Sequence, residues 1–158
     1  MKLSDLVPDG AIQTGLVSTQ RDDVVAEMVD VLVSSGATAA STREDLIKRV
    51  LDREQKGSTG FGRGVAVPHV KHTGVERMAA AIGLSREGIE FNALDRQPVY
   101  SVFLLLSPED RPEEHLQAME AIFKQLSKEI FRRQLRQAES VEDVRALLVS
   151  ADGQTLGG

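Results

Sequence analysis

Cysteine is absent from the 158-residue chain. Disulfides, thiolate metal sites and cysteine nucleophiles are therefore excluded. Long apolar runs are missing too. The longest, VFLLL at 102–106, is far too short to span a bilayer. The opening MKLSDLVPDG lacks the hydrophobic core of a secretory leader. These absences lead us to expect a cytoplasmic protein with no direct membrane insertion. Positive charge is in deficit, with 19 Lys and Arg against 24 Asp and Glu and a net charge of −5. That balance weighs against a non-specific grip on nucleic acid. The one basic cluster, FRRQLRQ at 131–137, reads as the solvated face of a late helix.

What is present suits a single domain with one sizeable core. LVSTQRDDVVAEMVDVLVSSG predicts a first helix, with Ser18 or Thr19 able to cap it and Val24, Met28 and Leu32 on one face. STREDLIKRVLDREQKG predicts a second, in which Ser41 and Glu44 have capping-box spacing. Arg53 falls in its last turn, where a cation complements the helix dipole. GVAVPH, MAAAIGL and GIEFNALDRQPVYSVFLLL read as strands, the last as two strands joined by a turn at 92–95. The short link between Phe91 and Val99 implies an antiparallel pair. Val99 to Leu106 is nearly all apolar, as in a strand buried on both faces. PEEHLQAMEAIFKQLS predicts a third helix with Leu116, Met119, Ile122, Phe123 and Leu126 inward. Two shorter helices follow, near 130–137 and 141–148. The expected fold is α/β: one mixed sheet flanked by helices on both faces in three layers, spanning 1–150. Residues 151–158, ADGQTLGG, have no evident anchor and read as a frayed tail.

The chain has three histidines, His69, His72 and His115. His69 follows Pro68, which cannot donate to a sheet ladder and forces Val67 into an extended shape. The strand should stop at Pro68 and present His69 at a rigid end. The preceding loop GSTGFGRG matches neither a P-loop nor a dinucleotide fingerprint, because a strand, not a helix, follows it. Its glycines could still let backbone N–H groups approach an anion, with hydroxyls from Ser58 and Thr59, or could simply make a turn. HVKH at 69–72 with Glu113 and Glu114 raises a metal site, but i, i+3 rings in an extended segment point to opposite faces. No HExxH spacing exists. Phosphoryl transfer through His69 is the other chemistry. A phosphoimidazole needs nearby donors and cations, and Arg53, Ser58, Thr59, Lys71 and His115 are the candidates.

LDREQKGSTGFGRGVAVPH, followed by GIEFNALDRQPVYSVFLLLSP and HLQAME, resembles the enzyme IIA domain of the fructose, mannitol and nitrogen-regulatory class. That class belongs to the phosphoenolpyruvate-dependent phosphotransferase system of bacteria. The likeness covers about Leu3 to Leu148. It implies a mixed sheet between helices and a phosphoryl group passing from the phosphohistidine of HPr to Nε2 of His69. It places the site arginine at Arg53, the second histidine at His115, the hydroxyl loop at Ser58 and Thr59, and a basic residue at Lys71. No cofactor and no metal are implied. In sugar-transporting systems the next acceptor is a cysteine of an enzyme IIB. With no cysteine here, that acceptor would lie on another chain. His69 must then be reachable by two partners, and an apolar rim including Val70 and Phe61 is expected around it. A nitrogen-type regulator that binds a regulated protein according to its phosphorylation state is the second reading. A metallohydrolase is the third.

Overall fold

A computed structural model describes the backbone of residues 1–157 and the side chains of residues 1–153. Its elements run α1 (Leu3–Leu6), β1 (Ile12–Gln13), α2 (Arg21–Ser34), α3 (Arg43–Lys56), β2 (Val65–Ala66), β3 (His69–His72), β4 (Ala79–Ile89), β5 (Val99–Pro108), α4 (Pro112–Leu126), α5 (Glu129–Gln137) and α6 (Val141–Gly157). The apolar run 102–106 lies in β5 and is fully buried. Each large side chain sequestered this way contributes about 1.5–3 kcal/mol, so β5 is the natural spine of the sheet.

The sheet is mixed, as expected. β4 pairs antiparallel with one edge of β5, and β1 runs parallel to β4. Both β2 and β3 run parallel to the other edge of β5. Pro68 does not end that edge. Its carbonyl accepts from Leu105 N at 3.0 Å, and His69 starts a new strand opposite Leu105. The missing N–H of proline therefore interrupts the edge for two residues without releasing the chain from the sheet. MAAAIGL and GIE, read as separate strands, join into β4, whose register slips between Leu84 and Ile89. Gly83 in β4 is required by close approach, since a Cβ there would lie 2.4 Å from Met28 Sδ on α2.

β3 alternates between two surroundings. The His69 ring faces His115 on α4, while His72 Nε2 lies 2.6 Å from Asp45 Oδ2 on α3. Different helices therefore cover the two faces of the sheet at β3. His72 Nδ1 accepts from Gly74 N at 2.8 Å, so its proton sits on Nε2 and is donated to Asp45, whose carboxyl is held below its usual pKa by that bond first. His72, which the sequence offered only as a doubtful metal ligand, is a strut between β3 and α3.

Three sequence expectations about helix ends and faces need correction. Neither Ser18 nor Thr19 caps α2, which begins after Gln20, and no side chain caps α3. Glu27 instead takes the N–H groups of Val17 and Ser18. Ser41 lies within a 3-10 turn, Ala40–Thr42, that precedes α3. On α4 the buried residues are His115, Ala118, Ile122, Gln125 and Leu126. Leu116 is 59 % and Phe123 37 % exposed. The helix is turned so that two polar residues point inward and the apolar stripe lies to one side.

The expected tail is anchored at its start. Ala151 and Asp152 are buried within α6. The Asp152 carboxylate accepts from Leu3 N at 2.7 Å, from Ser4 N at 3.2 Å and from the Ser4 hydroxyl. At the other end of α1, Arg145 donates to the carbonyls of Ser4, Val7 and Pro8. A single short turn could not satisfy its own terminal groups; α6 does so for it at both ends. The side chains from Gln154 onward lie outside the described residues. Further along the surface, Arg136 of the basic cluster stacks on Tyr100 at 3.7 Å, and Arg132 donates to Leu126 O.

Candidate functional site

Pairing with β5 fixes the backbone of His69, and one hydrogen bond fixes its ring. Nδ1 lies 2.9 Å from Val67 O. A carbonyl oxygen only accepts, so Nδ1 carries the proton and Nε2 keeps its lone pair. The side chain is part-buried, neither sealed in the core nor free on the surface.

His115 faces it, with ring centroids 5.5 Å apart and planes tilted by 51°. Pro112 opens α4 immediately after β5, a position where its missing N–H costs nothing. This short passage from strand to helix brings His115 over the His69 edge of the sheet. His115 is only 9 % exposed, and its Nδ1 lies 2.6 Å from the hydroxyl of fully buried Ser107 at the end of β5. Burial first, then the nearby charge of His69 and of Lys71, push its pKa down from 6.5 to about 4. His115 is therefore a neutral imidazole at neutral pH.

That shift has a consequence for stability. In the unfolded chain a histidine titrates near ~6.5, whereas in the folded protein His115 does so at about 4. Between these values the unfolded state binds more protons, so stability rises with pH. The penalty is absent above about pH 6.5 and accumulates as pH falls toward about 4. Urea midpoints should drop between pH 7 and pH 4.5 by more in the wild type than in His115→Gln, and parallel curves would remove His115 as a cause. His69 and Lys71 on β3 and Ser107 on β5 face this ring, so the difference between the two proteins reports His115 together with its coupling to these neighbours.

Much of the glycine-rich loop is bonded within the protein. Glu54 is buried at the end of α3 and accepts from Thr59 N at 3.1 Å and from the Thr59 hydroxyl. Gly60 N donates to Ser58 Oγ, and Gly60 O accepts from Leu94 N. Gly62, Arg63 and Gly64 follow in the left-handed region, with Arg63 N held by Asp95 Oδ2 at 3.1 Å. The N–H groups of Thr59, Gly60 and Arg63 are thus engaged within the protein. The Thr59 hydroxyl expected to meet phosphate is taken by Glu54. Ser58 Oγ accepts a bond and retains its own hydrogen for donation. No group of three or more His, Asp or Glu side chains able to hold a metal exists among the described residues. No helix among them is long and apolar enough to cross a membrane.

Residues 5–151 match the family described as phosphoenolpyruvate-dependent sugar phosphotransferase system, EIIA 2. The chain belongs to this family. It is 34 % identical over 91 % of its length to the fructose-specific EIIABC component of Bacillus subtilis, but spans only 22 % of that longer protein. It is 30 % identical to the fructose-specific EIIA component of Haloferax volcanii, covering 92 % of this chain and 94 % of that one. Among solved structures, nitrogen regulatory protein IIA-Ntr from Neisseria meningitidis superposes with a TM-score of 0.83 at 31 % identity, over 92 % of this chain and 98 % of the other. The enzyme IIA of mannitol from Escherichia coli, solved with its phosphorylated enzyme IIB, shares the fold at 20 % identity and a TM-score of 0.75, over 91 % and 97 % of the two chains.

In this EIIA domain Lys71, exposed on β3, shares the His69 face by strand alternation. Exposed Arg53 donates from its Nη1 to Gly57 O at 2.8 Å across the end of α3 and makes no hydrogen bond to either ring among the described residues. Phe61 packs on Phe123 of α4 with centroids 5.0 Å apart. Leu116 lies two turns from Phe123 on the same side of α4, with part-buried Met119 between them. Phe61 therefore lies against the exposed apolar side of α4, whereas Val70 is buried on the side of β3 opposite His69. Glu54 and Ser107 were missed. A carboxylate beside a glycine loop and a serine ending an apolar run carry no periodic signal.

Proposed function

We propose that this protein is a phosphocarrier whose Nε2 on His69 takes a phosphoryl group from the phosphohistidine of HPr. The observation that carries the reading is the hydrogen bond from His69 Nδ1–H to Val67 O, which leaves the nucleophilic lone pair on Nε2. In the transfer a P–N bond forms at Nε2 and the donor's P–N bond breaks. Its electron pair returns to the donor imidazole. The His69 proton stays on Nδ1 against Val67 O, so no proton needs to move. Neutral His115 offers a hydrogen bond to a phosphoryl oxygen without adding full charge. Arg53 and Lys71 supply the positive field, and Arg53 would turn from Gly57 O to reach the group. Ser58 adds a hydroxyl donor. A site that bound the dianion too firmly could not release it, and a part-buried histidine with exposed cations suits reversible carriage.

The onward acceptor is an enzyme IIB whose cysteine lies outside these residues, since none occurs here. The exposed Leu116 and Phe123, with Phe61, offer both partners an apolar landing on the helix that carries His115. The likeness to a nitrogen regulatory protein over nearly all of that chain favours a second reading. In it, charge added to His69 changes which protein docks on that landing.

Incubation with phosphoenolpyruvate, enzyme I and HPr should add one acid-labile phosphate to each chain. A protein left unmodified by phosphorylated HPr would overturn the phosphocarrier reading. Capture experiments with the phosphorylated and unphosphorylated forms separate the two roles. A cysteine-phosphorylated enzyme IIB points to transport, and a partner bound by one form alone points to regulation.

A further inference from the structure

Ser107 is fully buried, is the β5 partner of Lys71, and places its hydroxyl 2.6 Å from Nδ1 of His115. A buried hydroxyl and a buried imidazole must satisfy each other or leave a polar group stranded. Which of them donates decides the chemistry of the facing ring edge. If Ser107 accepts, the His115 proton is on Nδ1 and Nε2 is an acceptor, repelled by phosphoryl oxygens. If Ser107 donates, the proton is on Nε2 and that nitrogen is a donor.

We infer that Ser107 is a positioning residue that donates its O–H to His115 Nδ1, fixing the tautomer in which Nε2–H is the remaining hydrogen-bond donor of the ring that lies against His69. The inference rests on the phosphocarrier reading for its purpose, but the tautomer itself is a property of the resting protein. Burial and the neighbouring Lys71 keep the His115 ring neutral, so one of its nitrogens accepts and the other donates, and what the site needs decides between them. His69 already has its own proton on Nδ1 and a bare Nε2, so a bare Nε2 on His115 would set two lone-pair nitrogens around an incoming anion. A donor there completes the site and a second acceptor would spoil it. The arrangement parallels second-shell orientation in metal sites, where the partner on one ring nitrogen fixes what the other can do.

The test is nitrogen-15 NMR of the histidine side chains in the intact protein near neutral pH. In the wild type, His115 should show a bare nitrogen at Nδ1 and a protonated one at Nε2. In Ser107→Ala the proton should divide between the two nitrogens. Phosphoryl uptake from phosphorylated HPr should slow by about tenfold, with the KM for the donor little changed. Ser107→Thr, which keeps the hydroxyl, should restore both the tautomer and most of the rate. In a His115→Ala background, Ser107→Ala should cost nothing more. A wild-type proton on Nδ1, or an unchanged tautomer in Ser107→Ala, overturns the inference. Absence of any phosphorylation would instead defeat the functional reading, while the NMR result would still decide the hydrogen-bond direction.

Discussion

Replacing His69 with alanine is expected to abolish phosphoryl uptake from phosphorylated HPr, a loss of about a thousandfold or more. On the proposed reading the ring is the acceptor, and among the described residues neither other histidine is placed to stand in for it. His72 is turned to the opposite face of β3 and held by Asp45, and His115 is buried and bonded to Ser107. The variant should remain folded. Among the described residues the ring's one hydrogen bond is to a carbonyl two residues away, and its loss costs about 1 kcal/mol or less. Mass spectrometry of the intact protein after incubation with the phosphoryl donor, alongside a denaturant titration, checks both statements. Full phosphorylation of His69→Ala would place the acceptor elsewhere and undo the site described above.

The second large effect should come from a residue that touches no substrate. Glu54→Ala removes the buried carboxylate that gathers both the N–H and the hydroxyl of Thr59. Leaving those donors without an acceptor costs about 2–4 kcal/mol. The loop from Ser58 to Gly64 leads directly into β2 and the Val67 carbonyl that orients His69, and Thr59 O itself accepts from Val67 N at 3.2 Å. Slower phosphoryl uptake should therefore accompany the lower urea midpoint. Pairing Glu54→Ala with Thr59→Val should recover part of the stability, because the hydroxyl then no longer needs a partner. A midpoint unchanged by Glu54→Ala would show that the carboxylate does not organise the loop.

Apolar patterning revealed the existence of most elements. It located β5, the antiparallel return from β4 and the principal helices, because each depends on burying one face or one run of side chains. The same signal misjudged α4. Leu116 and Phe123 look like core residues, yet His115 and Gln125 occupy the inner face instead. Hydrophobicity has no means of marking a polar residue that points inward. Pro68 was read as the end of a strand because it lacks a donor. It retains an acceptor, and Leu105 N uses it, so the edge resumes at His69. β1 escaped notice because two residues carry no period. At the site, the motif supplied the residue types, while Glu54 taking Thr59 and Ser107 facing His115 depend on contacts between distant parts of the chain.

The clasp between α1 and α6 bears on how this domain can be joined to others. With Leu3 N 2.7 Å from the Asp152 carboxylate, α1 and α6 lie side by side at this point. A module attached ahead of the first helix would therefore start out beside the last one, and extra chain in front of Leu3 must leave room for the Asp152 carboxylate.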